Sequence, residues 1–456
     1  MIDAARWRAL LSEHLPGHLP RQRWSGAHER PISSVDIVWL DVIRDEEPFL
    51  VWALVEAHFA DGGDQQYQVF IGARGRHPRP DFLEGKDHQL LADLATDGGE
   101  LVAYDALIDP DLAIDVLHLV APDTEVLVRR PIVLEHSNSS VIFDEATILK
   151  VFRKIERGPN PDAEITRVLA EQGYANVLPP LAELRRDDTD LAVARTYLVE
   201  ATEGWDIART SVRDLLASRL PPEECGGDFG PDSTRLGTTI AGLHLAMAAA
   251  WGTSPGDPAS WVAEMEAHLE ESLVEVQIRA AHVDVDLDVI RARYRAAAAI
   301  PDGGGEIRVH GDLHLAQVMK VDAGWIVLDF EGEPSRRRAD RFTRSSPLRD
   351  VAGMLRSLHY AASTVLSEWG IEDAELAGLA AAWEERNRVA FLEGYFGHDG
   401  IDALLPADGG SRATLLAGFE LDKAVYELGY ELGHRPDKAS IPLAGIDRLV
   451  RRPVAT

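Results

Sequence analysis

The segment VHGDLHLAQVMKVDAGWIVLDFEGEP, residues 309–334, decides how the rest of the chain is interpreted. It contains two strand-like stretches joined by a tight turn at residues 322–324, and each stretch is associated with a polar cluster. The first cluster holds Asp312 and Gln317, and the second begins at Asp329, beyond an apolar run. Phosphoryl transfer needs a carboxylate that orients an attacking hydroxyl, and oxygen ligands for Mg²⁺. The pattern therefore favours a phosphotransferase site. The simpler alternative is a β-hairpin whose acidic residues only face solvent.

Two motifs in this segment resemble those of a known family. HGDxHxxQ followed by DFEGEP is similar to the catalytic and metal-binding segments of the actinobacterial maltokinases, in the aminoglycoside-phosphotransferase-like superfamily. The resemblance implies that Asp312 orients or deprotonates the acceptor hydroxyl, and that Gln317 and Asp329 hold Mg²⁺. Three further residues are implied to contact the substrate: His310, Glu331 and Glu333. Alternatively, Glu331 or Glu333 assists at the metal.

Length, composition and charge exclude several classes of protein. A chain of 456 residues exceeds one ordinary core and predicts two or three domains or subdomains. The net charge of −30 argues against a nucleic acid or an anionic membrane as partner. No apolar run is long enough to span a bilayer, and the charged N-terminal helix pattern is unlike a signal peptide. We therefore expect a cytoplasmic protein, a monomer or weak homodimer, that acts on small molecules.

Residues 1–85 are predicted to form a separate cap subdomain. An amphipathic helix and the cluster RQRW, which includes Trp24, precede three alternating stretches that predict antiparallel strands. The RQRW cluster is similar to the beginning of the maltokinases, where the chain forms a cap. Alternatively, Trp24 only anchors this part against its neighbour. Two prolines and many charges at residues 77–89 indicate a linker.

Residues 86–200 are predicted to form the N-lobe of a kinase. The stretch DHQLLADLAT, residues 87–96, is expected to be helical, and two β-hairpins follow it. A turn rich in Ser and Asn joins the first two strands, and such a turn can place N–H groups and hydroxyls against phosphates. Four residues are therefore predicted to bind ATP: Ser137, Asn138, Ser139 and Ser140.

The second hairpin ends near Lys150, which alternation places on one face with Ile148 and Phe152. An inward lysine on a strand is costly unless it is paired. Its predicted partner is Glu164, in a helix opened by the cap-like residues 160–162. This spacing resembles the lysine–glutamate pair of kinases, which orients the α- and β-phosphates of ATP. The alternatives are an edge-strand lysine that reaches solvent and an exposed helical glutamate.

The segment RTYLVEATEGWD, residues 195–206, is an apolar strand that breaks into polar residues. It resembles the hinge between kinase lobes, where backbone groups bind adenine. That resemblance implies adenine contacts at Val199, Glu200 and Ala201.

Residues 201–456 are predicted to form a mainly helical C-lobe, because apolar residues recur at i, i+3 and i+4. His244 lies on an apolar face and is interpreted as a core histidine. Asp350 resembles a position that braces the catalytic loop of related kinases.

A C-terminal helix is the candidate sugar-binding element. In residues 413–436, Lys423, Glu427 and Tyr430 recur at i, i+4 and i+7, with Tyr426 beside them, so one face carries polar and aromatic groups. Such groups suit a sugar, and the helix resembles the maltokinase segment Y-x-x-G-Y-E-x-x-x-R-P. The alternative is a salt-bridged surface helix. The resemblance adds two more sugar-binding residues: Tyr360 and Arg435.

The predicted fold is α+β: a bilobal protein-kinase-like fold with an N-terminal cap, a β-rich N-lobe and a helical C-lobe. The resemblance implies a maltokinase that converts ATP and maltose to ADP and maltose 1-phosphate with Mg²⁺, feeding α-glucan synthesis. Alternatives are a glucosamine 6-kinase, another small-sugar kinase, or a non-catalytic scaffold. Two departures from the maltokinase pattern leave the identity of the acceptor sugar open. Ala316 stands where the maltokinases usually have glycine, and residues 435–443 lack the tryptophan and leucine that usually precede their IPL motif.

Overall fold

The computed structural model describes residues 2–27, 30–96, 99–128, 132–135, 138–279, 286–333, 343–370 and 373–451. Ser137, one of the predicted ATP-binding residues, lies outside them. The chain divides into an N-terminal unit, residues 1–164 with 179–199, and a C-terminal unit, residues 165–178 with 200–456. Among the described helices, none combines the length and the apolar character that a bilayer crossing requires.

The N-terminal unit opens with a helix and a large antiparallel sheet. Its elements are α1 (Ala4–His18), β1 (Ile32–Arg44), β2 (Phe49–Phe59), β3 (Asp64–Gly75), β4 (Leu90–Thr96) and β5 (Gly99–Asp105). The strand order is β1-β2-β3-β5-β4, with antiparallel neighbours. The helix and the first three strands confirm the predicted secondary structure. One face of the sheet packs against α1, where Trp7 and Leu11 are buried with Val51 and Val69.

The prediction of a helix at residues 87–96 is wrong. Asp87–Gln89 form a 3-10 turn, and the following residues form β4, which pairs with β5. Leu and Ala favour helices, but their propensity is weak compared with the pairing and burial that a sheet partner offers. The sheet therefore includes strands on both sides of residue 85.

A second sheet completes this unit. It contains β6 (Ile132–Glu135), β7 (Ser139–Phe143), β8 (Thr147–Val151), β10 (Ala182–Arg186) and β11 (Thr189–Thr196), while β9 (Lys154–Ile155) pairs with β3. The order is β10-β11-β8-β7-β6. Asp144 and Glu145, in the three-residue connection between β7 and β8, have φ of 52° and 53°, and the N–H of Ala146 closes this tight turn on the carbonyl of Phe143 at 2.9 Å. Helix α2 (Pro110–Val120) buries Leu112 and Val116 in one cluster with residues of this sheet.

The C-terminal unit is mainly helical, which confirms the periodicity prediction. Helix α3 (Pro161–Glu171) belongs to both units, and the remaining helices are α4 (Gly204–Ser218), α5 (Gly230–Trp251), α6 (Pro258–Arg279), α7 (Leu287–Ala298), α8 (Leu348–Trp369), α9 (Ala374–Phe396), α10 (Gly409–His434) and α11 (Ser440–Arg451). Two small sheets complete it: β12 (Thr202–Glu203), β15 (Val318–Val321) and β16 (Gly324–Val327); and β13 (Ser254–Pro255), β14 (Gly305–Arg308) and β17 (Arg344–Ser345).

The hairpin of β15 and β16 is anchored in the core by Trp325. This side chain is 1% exposed, and its Nε1 donates to the carbonyl of Asp232 at 3.1 Å. Asn176 donates to the Trp325 carbonyl at 2.7 Å. Because Gln317 directly precedes β15 and Asp329 follows soon after β16, the anchored hairpin places these two side chains near one another.

Candidate active site

The loop that carries Asp312 is held by a buried carboxylate. Asp350 accepts hydrogen bonds from the backbone N–H groups of His310, at 2.7 Å, and Gly311, at 2.9 Å. It also lies 3.1 Å from His244 Nε2, which is fully buried. Burial alone would raise the pKa of Asp350, but the hydrogen bond and charge of His244 and the further contacts hold it below its usual value. The predicted brace of the catalytic loop and the core position of His244 are confirmed.

His310 connects the two polar motifs from inside the protein. Its Nε2 donates to the carbonyl of Leu328 at 2.9 Å, and its Nδ1 accepts from the N–H of Asp312 at 3.4 Å. The ring packs on Phe330, with centroids 4.7 Å apart. Because both ring nitrogens have backbone partners, this geometry favours a supporting role for His310 over the predicted contact with substrate.

The carboxylate of Asp312 contacts a lysine from α10. Lys423 Nζ lies 3.1 Å from Asp312 Oδ1 and 2.6 Å from Glu333 Oε1, and Arg349 approaches Glu333 at 3.5 Å. Burial alone would lower the pKa of Lys423, but the charges of Glu333 and Asp312 raise it above its ordinary value. Lys423 is therefore protonated and joins the predicted base to the predicted metal segment.

Gln317 and Asp329, the predicted metal ligands, lie side by side. Gln317 Nε2 is 3.4 Å from Asp329 Oδ2, and Glu331, which follows, is half-buried. Asp329 has a φ of 58°, an unusual backbone conformation for a residue other than glycine, and such conformations cluster at functional sites. Amide and carboxylate oxygens are ligands that Mg²⁺ accepts, and one small ion can reach both side chains once the amide oxygen faces it. These residues fit the implied metal.

A cavity of about 300 Å³ opens within the C-terminal unit. This size is at the lower end of the range for small-molecule sites. The structure brings every sugar-binding candidate of α8, α10 and the following turn to its wall: Tyr360, Lys423, Tyr426, Glu427, Tyr430 and Arg435. We call this space the acceptor cavity.

Ion pairs fix the polar groups of the acceptor cavity. Glu427 accepts from the guanidinium of buried Arg356 at 2.6 and 3.1 Å. Glu431 accepts from the Tyr360 hydroxyl at 2.5 Å and from Arg435 at 2.7 and 2.9 Å. Burial and Glu431 raise the pKa of Tyr360 above its ordinary value. Arg356 and Glu431 were not among the predicted residues. For Glu431 a signal was present, because the spacing of four between Glu427, Glu431 and Arg435 marks a common helix face.

Both departures from the maltokinase pattern reach the acceptor cavity. Ala316 and Lys438 line it, together with His314. The ring of His314 accepts from the N–H of Ala316 at 3.2 Å, and burial lowers the pKa of His314 below its usual value. Its Nε2 lies 3.9 Å from Asp312 Oδ2. The departing residues are therefore placed to affect acceptor choice.

A second, smaller cavity lies beside Asp312. Its volume of about 20 Å³ suffices for one water molecule. Glu333 and Arg349 line it. His268 and Asp422 also line it, with Nδ1 and Oδ1 3.1 Å apart, a contact that the sequence did not indicate. Three residues border both cavities: Gly353, Lys423 and Tyr426.

In the N-terminal unit, Lys150 has a carboxylate partner on α3. Its Nζ lies 3.3 Å from Asp162 Oδ2, and Arg195 contacts the same oxygen at 2.8 Å. Asp162 is fully buried and was missed, although it lies only two residues before the predicted partner. The pairing of Lys150 with Glu164 stays a prediction.

The predicted phosphate turn is partly a strand. Ser139 and Ser140 belong to β7, and the buried hydroxyl of Ser139 accepts from Arg153 Nε at 2.8 Å. The side-chain oxygen of Asn138 accepts from the N–H of Arg153 at 3.3 Å. The Ser139 hydroxyl is thus used inside the protein, which argues against its predicted contact with a phosphate. Asn138 and Ser140 are half-buried, and their role stays a prediction.

The predicted hinge lies between β11 and β12. Val199 is 53% exposed, and the chain passes from the N-terminal to the C-terminal unit between Val199 and Glu200. Ala201 is half-buried. Adenine binding by this segment stays a prediction.

Comparisons with known proteins agree with this description. The family model of the maltokinase N-terminal cap domain matches residues 18–109. A glucosamine kinase of Streptacidiphilus jiangxiensis is 29% identical over 392 residues, which cover 81% of this chain and 82% of the relative. A glucosamine kinase of Mycolicibacterium smegmatis (strain ATCC 700084 / mc(2)155) is 26% identical over 344 residues, which cover 72% and 81%. A glucosamine kinase structure in complex with glucosamine, ADP and inorganic phosphate has a TM-score of 0.66 at 22% identity, covering 98% and 100%.

The fold is the α+β kinase-like fold of this glucosamine kinase structure, with an N-terminal cap, which confirms the predicted fold class. The chain is similar to the maltokinases over its cap and to glucosamine kinases over most of its length, as its motifs predicted. The predicted enzyme class, an ATP-dependent sugar kinase, is the class of these relatives.

Proposed function

We propose that a sugar binds in the acceptor cavity and that Asp312 orients or deprotonates the hydroxyl that attacks the γ-phosphate of ATP. The observation that carries this proposal is the position of Asp312. It lies on a loop braced by Asp350 and contacts Lys423, a residue of the acceptor-cavity wall. A fixed carboxylate beside a sugar-sized cavity supplies the orientation on which phosphoryl transfer depends.

The remaining roles follow the predictions. Lys150 contacts the phosphates of ATP, the turn near Asn138 covers them, and the segment at residues 199–201 binds adenine. Gln317 and Asp329 hold Mg²⁺, which neutralises phosphate charge when bound. A kinase of this kind works where ATP is supplied, so the proposed location is the cytoplasm, and the proposed state is a monomer or weak homodimer.

Maltose, phosphorylated at its anomeric hydroxyl, is the first proposed acceptor. The cap match, the motifs of residues 310–334 and the room in the acceptor cavity support it. The product, maltose 1-phosphate, would feed α-glucan synthesis. Glucosamine, phosphorylated at its 6-hydroxyl, is the second, because two relatives that match most of the chain are glucosamine kinases. Ala316 and Lys438 are the residues to examine for this choice.

The test is ATP consumption by the purified protein with Mg²⁺ and maltose, glucosamine, glucose or N-acetylglucosamine. Maltose turnover with an acid-labile product supports a sugar 1-phosphate, whereas an acid-stable product from glucosamine supports a 6-phosphate. ATP consumption that none of the sugars stimulates would contradict the proposal.

The metal site has its own test. Asp329→Ala should abolish the dependence of the rate on Mg²⁺ concentration, because one of two side-chain ligands is lost. Asp322→Ala, in the turn of the same hairpin, is the matched control and should keep normal Mg²⁺ activation. Normal activation in Asp329→Ala would refute the assignment.

A further inference from the structure

We infer that Lys423 is a positioning residue that fixes the carboxylate of Asp312, and that it is not a ligand of the sugar. The inference rests on the proposed function, in which Asp312 acts on the acceptor hydroxyl. It revises the interpretation of the α10 face, where Lys423 was grouped with the sugar-binding residues.

The contacts of the Lys423 ammonium carry the first step. A lysine ammonium has three N–H donors. Its nitrogen lies 3.1 Å from Asp312 Oδ1 and 2.6 Å from Glu333 Oε1, and it approaches the Tyr426 ring at 4.8 Å from the centroid. Two carboxylates and one aromatic face thus surround the three donors. A sugar hydroxyl would have to displace one of these partners.

Lys423 is itself held from two sides. Glu333 is buried and is also approached by Arg349 from α8. One helical turn further along α10, Glu427 is fixed by buried Arg356. A group that orients a catalytic carboxylate must have its own position fixed by rigid elements, and these contacts meet that requirement.

The contact has a consequence for Asp312. Lys423 occupies Oδ1, whereas Oδ2 lies 3.9 Å from His314, a residue of the acceptor-cavity wall. One oxygen is therefore fixed, and the other is left on the side of His314.

Within the part of the chain that the structure describes, no other fixed cation has the same relation to Asp312. Among the described residues, Lys423 is the only lysine or arginine with a nitrogen within 4.0 Å of an Asp312 carboxylate oxygen. The other titratable or charged groups of the surrounding loop and the small cavity are His310, His314, Glu333, Asp350, Arg349, His268, Asp422 and Tyr426. The acceptor cavity adds Tyr360, Glu427, Tyr430, Glu431, Arg435 and Lys438.

The experiment compares Lys423→Met, Lys423→Arg and the control Lys320→Met, using the sugar that the wild type phosphorylates. Lys320 pairs with Asp232 at 2.5 Å elsewhere in the same unit. In Lys423→Met, kcat should fall about 10- to 100-fold while KM for the sugar changes less than about threefold. Lys423→Arg should recover part of kcat, and Lys320→Met should keep the wild-type kcat and KM.

The opposite pattern would overturn the inference. A raised KM for the sugar with unchanged kcat would make Lys423 a sugar ligand. Equal losses of kcat in the Met and Arg variants would make it merely structural. If Lys423→Met does not fold, Lys423→Met/Glu333→Gln removes both charges and should show the same fall in kcat. A wild type that phosphorylates no sugar would remove the proposed function and this inference together, whereas an active wild type with unaffected Lys423 variants removes the inference alone.

Discussion

Two cation–carboxylate clusters, one in each unit, differ in what surrounds them. In the N-terminal unit, buried Arg153 donates to Asp105 at 2.7 Å and to Ser139, with its guanidinium 4.7 Å from the centroid of Trp24. In the C-terminal unit, Lys423 shares one charge between two carboxylates and borders two cavities. The arginine planar fork matches several fixed partners, whereas the lysine is a compact point charge.

This difference suggests that the Arg153 cluster stabilises the fold, whereas the Lys423 cluster serves the proposed reaction. Arg153 joins Trp24, the end of β5 and the start of β7, so its contacts connect segments far apart in sequence. Breaking a closed buried pair leaves an uncompensated charge and costs stability. A cluster that borders open space can instead present a charged group to a ligand. We therefore expect mutations at Arg153 to act on unfolding and mutations at Asp312 or Lys423 to act on turnover.

Asp312→Asn should produce the largest change. The amide keeps the size of the side chain but cannot accept the proton, so kcat should fall about 10²- to 10⁴-fold. Steady-state kinetics and urea unfolding of the same preparation check this. Asp105→Asn is the counterpart in the other cluster and should lower the stability instead. A wild-type rate in Asp312→Asn would end the assignment of this residue as the base.

Arg153→Met should lower the free energy of unfolding of the N-terminal unit by about 3–5 kcal/mol, because Asp105 is left buried without its cation. Urea titration followed by tryptophan fluorescence measures the effect. The double variant Arg153→Met/Asp105→Asn should recover part of the loss, since the remaining charge is removed. KM for the sugar in the folded fraction should stay within about twofold of the wild type. A stability loss near zero would mean that this cluster does not stabilise the N-terminal unit, as its contacts indicate that it does.

Local patterns predicted much of the fold, because apolar residues recur with a period of two in strands and of about 3.6 in helices, and a sequence shows these periods directly. The strands β1–β3 and the helices α4–α7 are examples. The stretch at residues 87–96 failed because its Leu and Ala residues suit a helix as well, and only pairing with β5 decides its structure.

The sequence indicates candidate site residues where one motif holds the groups that the chemistry needs. Asp312, Gln317 and Asp329 belong to such a motif. Asp162 was not predicted, because it pairs with Arg195, 33 positions away. The spacing of Glu427, Glu431 and Arg435 places Glu431 on the cavity face, but its contact with Tyr360, 71 positions away, cannot be read from that spacing. No periodicity within one element encodes contacts of that kind.

The stability of the N-terminal unit should depend on pH through His18. Its ring is buried, and burial lowers the pKa of His18 to about 4. The unfolded chain binds this proton near the ordinary value of 6.5, so stability is lost as the pH falls from about 6.5 to about 4. The free energy of unfolding should be about 2 kcal/mol lower at pH 5 than at pH 7.5 from this group.

Urea unfolding of His18→Gln at the two pH values tests this, because the glutamine stays neutral and can still reach the carbonyl of Leu90. His14→Gln is the matched control on the same helix, where the side chain is 35% exposed. A pH dependence that is as strong in His18→Gln as in the wild type would assign the loss to other groups. The result also bears on the Arg153 cluster, because the charge of Asp105 raises the pKa of His18 and the charge of Arg153 lowers it.

The smallest effect is expected at the acceptor-cavity wall. Tyr360→Phe removes the hydrogen bond to Glu431, which Arg435 still holds, so binding of the sugar should weaken by about 1 kcal/mol, or about fivefold in KM, with kcat nearly unchanged. Tyr174→Phe, whose hydroxyl donates to the carbonyl of Thr239 at 2.8 Å, removes a hydroxyl elsewhere in the same unit and should leave KM unchanged. If Tyr360→Phe instead lowers kcat as Lys423→Met does, the cavity wall and the catalytic carboxylate act as one network. In that case the division between a positioning lysine and a sugar-binding face would have to be redrawn within the C-terminal unit.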